Sequence, residues 1–140
     1  MQPLLVSNYV ATGKVRFEFR DFAFLGPKSV LAAEAASCAM DQGKFWQFHD
    51  TLYTSQGAEN SGASSMPRLN EMAAEMGLDA SRFSECLSSG SYREQVLAMR
   101  EDGVQGGVNA TPSLFVNGRR ITYQGWDSLQ SAIATALQTH

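Results

Sequence analysis

The sequence predicts an α/β fold in which a sheet is interrupted by a long helical region. Residues 14–20 alternate between charged and apolar side chains, as in a strand with one buried face. Residues 114–123 form two short runs around Asn117-Gly118, a strong short-range signal of a β-hairpin. Between them apolar residues recur at helical spacing, and one more helix closes the chain. This order suits a sheet whose crossover has been expanded into a helical subdomain.

Composition predicts one domain without a polyanionic partner. The 140 residues are 44% hydrophobic, which is enough for one sizeable core. The net charge is −3 and the 11 Lys and Arg are scattered, so we expect no nucleic-acid partner. No apolar window is long enough for a membrane span, and the first residues lack the pattern of a signal peptide. We expect no cofactor and no metal.

The first predicted elements are the end of a helix and an edge strand. Pro3–Gly13 has one apolar face, and Gly13 is a typical helix stop. The strand Lys14–Arg20 follows at once, and the charges on one of its faces favour a position at the edge of a sheet.

The helical region is divided by Gly and Pro into several amphipathic segments. Asp79 and Asp127 are predicted helix caps, and Ser91 with Glu94 matches a capping box. His49 has no partner nearby in sequence and is interpreted as a structural histidine rather than a catalytic base. A polar loop is predicted from Gly57 to Ser65. The predicted helices cover residues 30–40, 44–55, 67–77, 79–90, 91–103 and 127–137.

A proline, Pro112, comes just before the first strand of the predicted hairpin. Its missing N–H removes no central ladder bond there, and Thr111 before it is held in extended geometry. From spacing alone the Thr111–Pro112 bond can be cis or trans, since only about one X–Pro bond in twenty is cis.

The two cysteines, Cys38 and Cys86, are solitary. Neither has a second Cys or His at a metal-ligand or redox-pair spacing. They are either two buried thiols or one disulfide between helices, which the chain-entropy model would credit with roughly 4 kcal/mol. The residues themselves leave both readings open.

Four blocks of sequence occur in order along nearly the whole chain: Gly13–Phe22, Ala32–Ala36, Gly43–Asp50 and Asn109–Gly118. Together they resemble the DsbA-like thiol-disulfide oxidoreductases of the thioredoxin superfamily. The resemblance implies a thioredoxin-like fold with a helical insertion, here a single incomplete domain over residues 1–140. Its thioredoxin part would be residues 1–26 and 108–140, and its insertion residues 27–107.

The resemblance also implies roles for the residues singled out above. Thr111-Pro112 would be the superfamily's cis-proline loop, which faces the active-site cysteines and binds substrate peptide through its backbone. Relatives often carry a second, structural disulfide in the helical part, which favours a Cys38–Cys86 bond. The family acts outside the cytoplasm, in the periplasm or cell envelope, on protein or peptide thiols.

The chain departs from the family at the catalytic motif. A C-x-x-C pair, activated at a helix N-terminus, performs the redox chemistry in the family, and this sequence contains none. By resemblance, Pro3–Gly13 would be the tail of that helix, so the first core strand and the C-x-x-C segment are expected to be lacking. We predict that the gap is closed by direct pairing of the flanking strands or, preferably, by a second copy of the chain.

Three functions follow as hypotheses. The preferred one is a fragment of a thiol-disulfide oxidoreductase that is redox-inactive in isolation, with no catalytic residue of its own. The second is a non-catalytic peptide-binding or assembly module that uses Thr111-Pro112 and the Phe22–Leu25 segment. The third is a relative of the isomerase or glutathione-transferase branches, in which Ser replaces the first active-site cysteine.

Overall fold

The computed structural model describes residues 1–55 and 64–139. Most of the loop that the sequence predicts from Gly57 to Ser65 lies outside these ranges. None of the helices over the described residues is long and apolar enough to cross a membrane. The elements are α1 (Gln2–Leu5), which continues as a π-helical turn (Val6–Val10), then α2 (Pro27–Met40), α3 (Phe45–Thr54), α4 (Met66–Glu75), α5 (Ala80–Ser88), α6 (Arg93–Gln105), β1 (Leu114–Val116), β2 (Arg119–Ile121) and α7 (Trp126–Gln138).

The chain divides into two compact units. One consists of Met1–Arg20 together with Gly107–His140, and we call it the hairpin unit. The other is the continuous stretch Asp21–Gly106, which we call the helical unit. Each is described by itself.

The helical unit is built around α2, which is rich in alanine. Because its side chains are small, α2 packs closely against α3, α5 and α6. A disulfide joins Cys38 on α2 to Cys86 on α5, with Cα atoms 5.9 Å apart. Four of the largest fully buried side chains of the unit are Phe48, Phe83, Leu69 and Met72.

One buried carboxylate lies at the edge of this core. Glu34 on α2 is 1% exposed, and neither of its carboxylate oxygens has a hydrogen-bond partner among the described residues. Its Oε2 lies 3.6 Å from a guanidinium nitrogen of Arg93, the first residue of α6. The Arg93 guanidinium therefore offsets part of the cost of burying this carboxylate.

The hairpin unit has a smaller core. Leu5, Leu129 and Ile133 are its buried apolar side chains. They are surrounded by partly buried residues from the π-helical turn, from the extended segment over residues 14–20, from the hairpin and from α7. The strands β1 and β2 form a two-stranded antiparallel sheet in which Phe115 is opposite Arg120.

The strand predicted over Lys14–Arg20 is wrong as a strand, although its side-chain pattern is correct. Val15, Phe17 and Phe19 are half-buried and the charged residues between them are exposed. Over the described ranges this segment joins no β-ladder, because β1 pairs with β2 alone. Direct pairing of this segment with β1, one of the two predicted closures, is therefore also wrong.

The predicted helix caps have different outcomes. Asp79 is confirmed, since its carboxylate accepts a hydrogen bond from the Arg82 N–H at 3.1 Å. The capping box is wrong: α6 begins only at Arg93, and the Ser91 hydroxyl instead pairs with that of Ser89 at 2.8 Å. Asp127 is wrong as a cap as well, because α7 begins at Trp126 and its N-cap position is Gly125, two residues before Asp127.

Candidate functional site

The loop before β1 is exposed at the surface of the hairpin unit. Asn109, Ala110, Thr111 and Pro112 are exposed, and the Thr111–Pro112 peptide bond is cis. The Ser113 hydroxyl donates to the Ala110 carbonyl at 2.7 Å, which closes the loop over the two predicted site residues. The structure therefore presents the backbone on both sides of Pro112 to solvent.

The hairpin turn sets which residue of β2 faces this loop. Asn117 and Gly118 adopt positive φ angles of 49° and 78°, the conformation that a two-residue hairpin turn requires. The resulting register places Arg120 opposite Phe115, so these two side chains share a face of the sheet.

Arg120 fastens the loop through its guanidinium group. Nη1 donates to the Gly107 carbonyl at 2.8 Å, and Nη2 donates to the Asn109 side-chain oxygen at 3.3 Å and to the Ser113 hydroxyl at 3.1 Å. A planar guanidinium can hold several acceptors in a fixed arrangement, and here they lie on both sides of Thr111-Pro112. Arg120 therefore holds the two ends of the loop together.

Sequence reasoning missed Arg120. The signal that could have found it was the Asn117-Gly118 turn, since a two-residue loop fixes the cross-strand partner of every hairpin residue. Counting outward from that turn pairs Arg120 with Phe115, two residues beyond Ser113.

The two cysteines lie in the helical unit and are bonded to each other in a disulfide. Cys38 is buried and Cys86 is half-buried, with its sulfur 3.9 Å from an Asp41 carboxylate oxygen. The Tyr92 hydroxyl donates to the other oxygen of Asp41, and this hydrogen bond raises the pKa of Tyr92. Neither sulfur is available as a thiolate while the bond is intact.

A second cluster of ionisable side chains surrounds His49 on α3. His49 is buried, its Nδ1 lies 3.0 Å from an Asp50 oxygen, and its ring contacts those of Trp46 and Tyr53. Burial raises the pKa of Asp21 to about 6, against the opposing charge of His49. Burial and the charge of Asp21 raise the pKa of Tyr53.

The carboxylate partner of His49 is the next residue in the chain, so the expectation that His49 has no partner nearby in sequence is wrong. The surroundings still suit the structural role predicted for His49, because the ring has both aromatic neighbours and a carboxylate partner. Within the described part of the chain, no group of three or more acidic, His or Cys side chains is arranged to hold a metal ion.

Comparison with known proteins identifies the class. The thioredoxin family model matches residues 2–135, and the chain belongs to that family, in the DsbA-like branch of the thioredoxin superfamily. The fold is similar to that of BdbD from Bacillus subtilis in its oxidised crystal structure, with a TM-score of 0.85 and 24% identity over 97% of this chain and 76% of that one.

Two relatives show how the similarity is distributed. The chain is 31% identical to the "Probable disulfide bond formation protein D" of Bacillus anthracis, covering 97% of this chain but only 64% of the length of that relative. It is 38% identical over 95 residues to the Na(+)/H(+) antiporter NhaA of Herminiimonas arsenicoxydans, which covers 68% of this chain and 14% of that protein.

Proposed function

We propose that these 140 residues are the substrate-binding and helical part of a protein thiol-disulfide oxidoreductase. The observation that carries the proposal is the exposed loop around Thr111 and Pro112, fastened by Arg120 in a chain of the thioredoxin family. Exposed backbone just before a strand can hydrogen-bond an extended polypeptide. The substrates are protein or peptide thiols.

The same proposal makes the isolated chain redox-inactive. Thiol-disulfide exchange needs an attacking thiolate, and Cys38 and Cys86 are bonded to each other within the helical unit. The sequence has no C-x-x-C. We assign Cys38–Cys86 a structural role, and place the protein outside the cytoplasm, where such bonds persist.

Two measurements on the 140-residue chain test the proposal. In an insulin-reduction assay the chain should give no turnover above the uncatalysed rate. In an NMR titration, a short extended peptide in which serine replaces the substrate cysteine should shift the amides of Asn109–Phe115 more than those of the helical unit. Turnover would contradict the assignment of inactivity, and peptide-induced shifts confined to the helical unit would contradict the site.

A non-catalytic assembly module is the second candidate. Phe24 and Leu25 are 43% and 51% exposed in the helical unit, and exposed apolar residues of this size are typical of contact surfaces. In this case Phe24→Ser with Leu25→Ser would abolish binding of a partner protein while leaving the NMR response of Asn109–Phe115 to peptide intact.

We also propose that the chain forms a homo-oligomer through its strand edges. In the described part of the chain β1 has a ladder partner on one side alone, and open edges recruit other strands. Light scattering should give a mass above that of one chain, and a monodisperse monomer would remove this proposal.

A further inference from the structure

We propose that Arg120 makes the loop selective for polypeptides with an acidic side chain beside the bound segment. This inference rests on the proposed function, because it names the class of substrate that the same loop would prefer. In it Arg120 has two tasks: it positions the loop, and it supplies the charge that a bound carboxylate would meet.

The charge of Arg120 is not neutralised by its own contacts. Its three acceptors are a carbonyl, a side-chain amide oxygen and a hydroxyl, all of them neutral. Among the described residues, no carboxylate lies within ion-pair distance of Arg120, whereas Arg16, Arg20, Arg68 and Arg93 each have at least one. The guanidinium therefore keeps its positive charge at an exposed position next to the loop.

The face on which Arg120 lies is also suited to a polypeptide. Phe115, its cross-strand partner, is 44% exposed and offers an aromatic surface beside the cation. The hydroxyl of Ser113, the residue after Pro112, accepts a hydrogen bond from Nη2 of Arg120. A chain that ran along the loop would thus meet backbone groups, an aromatic ring and a guanidinium on one face.

The balance of basic and acidic residues in the two units also favours an acidic partner for the loop. The hairpin unit contains five Lys and Arg against two acidic residues, whereas the helical unit contains six against twelve. The unit that carries the loop is therefore positive in a chain whose net charge is −3. Because opposite potentials favour encounter and discriminate against like-charged partners, the loop should attract acidic segments.

The experiment compares two fluorescent peptides that differ only in charge. Both are short and extended, with serine in place of cysteine, and one has glutamate where the other has glutamine beside the central residue. Fluorescence anisotropy at low salt should show that the chain binds the glutamate peptide about three- to five-fold more tightly, the range expected for an exposed ion pair. The preference should fall as salt is added, since exposed charges are screened.

Three variants separate the two tasks of Arg120. Arg120→Ala should abolish the preference for glutamate and speed amide exchange at Ser113 and Leu114. Arg120→Lys keeps the charge without the planar fork, so it should keep most of the preference but also speed that exchange. Arg119→Ala is the matched control: it removes the same charge from the neighbouring position, on the opposite face of β2, and should keep both the preference and the slow exchange.

The outcomes are distinct. Equal binding of the two peptides by the unaltered chain overturns the acidic preference and leaves the proposed function standing. Binding of neither peptide contradicts the proposed function itself. If Arg119→Ala removes the preference as fully as Arg120→Ala, the preference arises from overall charge and the assignment to Arg120 is overturned. If Arg120→Ala instead dissociates a dimer of the chain and Arg119→Ala does not, Arg120 contacts a second copy, and the assignment of its charge to a substrate segment is overturned.

Discussion

The two units of the chain are stabilised by different kinds of interaction. The helical unit has a core of apolar side chains from α2 to α5, closed by the Cys38–Cys86 disulfide. The hairpin unit has three buried apolar side chains, a two-stranded sheet and a surface loop held by polar contacts of Arg120. The exposed loop that we propose as the binding site thus lies in the unit with the smaller core.

This difference shows how an exposed loop can be held by polar contacts rather than by burial. Surface loops carry binding groups because their backbone is accessible, but an accessible backbone is also the first to open locally. Arg120 supplies order through three hydrogen bonds, which need little apolar burial. Order in the helical unit comes from close packing of small and large side chains instead.

Loss of the disulfide should give the largest effect. Cys38→Ala with Cys86→Ala removes a cross-link between residues 48 positions apart, and should cost the helical unit about 4 kcal/mol of unfolding free energy in the chain-entropy model. Urea unfolding followed by far-UV circular dichroism measures the loss. As a direct check, the air-oxidised, denatured protein should contain no titratable thiol, and two thiols would refute the bond.

Truncating one buried side chain in each unit should lower the unfolding free energy by different amounts. Leu87→Ala, in the helical unit, should cost about 3 kcal/mol, whereas Ile133→Ala, in the hairpin unit, should cost about 2 kcal/mol, because a smaller and more open core can relax around the missing methyl groups. Both side chains are under 5% exposed, so the difference in cost reports on the surroundings.

Native-state hydrogen exchange separates these two variants further. Ile133→Ala should speed exchange in β1 and α7, and Leu87→Ala in α2 and α5. Equal costs, with exchange faster throughout the chain in both variants, would mean that the two units unfold as one.

Sequence predicted which side chains are buried better than it predicted which backbones pair. The alternation of Val15, Phe17 and Phe19 correctly gave the inner face of the extended segment. It could not give a strand, since a strand requires a neighbour, and pairing depends on distant parts of the chain. Asn117-Gly118 was sufficient for the hairpin because its signal is local.

The candidate site could be assembled from the sequence only in part, for the same reason. Thr111-Pro112 could be assigned from a resemblance carried by contiguous residues. The contacts of Arg120 join Gly107, Asn109 and Ser113 across the hairpin, and no short motif contains all of them. The failed capping box has a local cause, because the Ser91 hydroxyl is hydrogen-bonded to that of Ser89 and α6 begins only at Arg93.

The ionisable cluster at the start of the helical unit should give a smaller, pH-dependent effect. Burial raises the pKa of Asp21 from 3.8 to about 6, so between about pH 4 and pH 6 the folded state binds more protons than the unfolded state. The stability that Asp21 contributes is complete below pH 4 and is lost as the pH rises through 6. After allowance for the partial solvent contact of Asp21, the loss should be about 2 kcal/mol.

Urea unfolding at pH 4 and pH 7 measures this term. Asp21→Asn cannot ionise and should lose less stability than the unaltered chain between the two pH values. Asp50→Asn, the control, changes an exposed carboxylate that also faces His49 and should keep the full pH dependence. If the unaltered chain and Asp21→Asn respond equally to pH, ionisation of Asp21 is not the cause.

The smallest effect concerns two aspartates that the sequence treats alike and the structure does not. Asp79 caps α5 in the helical unit, with its carboxylate on the Arg82 N–H, so Asp79→Ala should cost about 1 kcal/mol. Asp127 lies inside the first turn of α7 in the hairpin unit and gains only from the helix dipole, so Asp127→Ala should cost about 0.3 kcal/mol. The position before α7 is Gly125, whose φ of 118° suits glycine, and the Ser128 hydroxyl accepts from the Gln124 N–H instead.

Urea unfolding in low and high salt distinguishes the two cases, because salt should erase the small cost at Asp127 and leave most of the cost at Asp79. Equal costs at the two positions would mean that Asp127 caps α7 in solution after all.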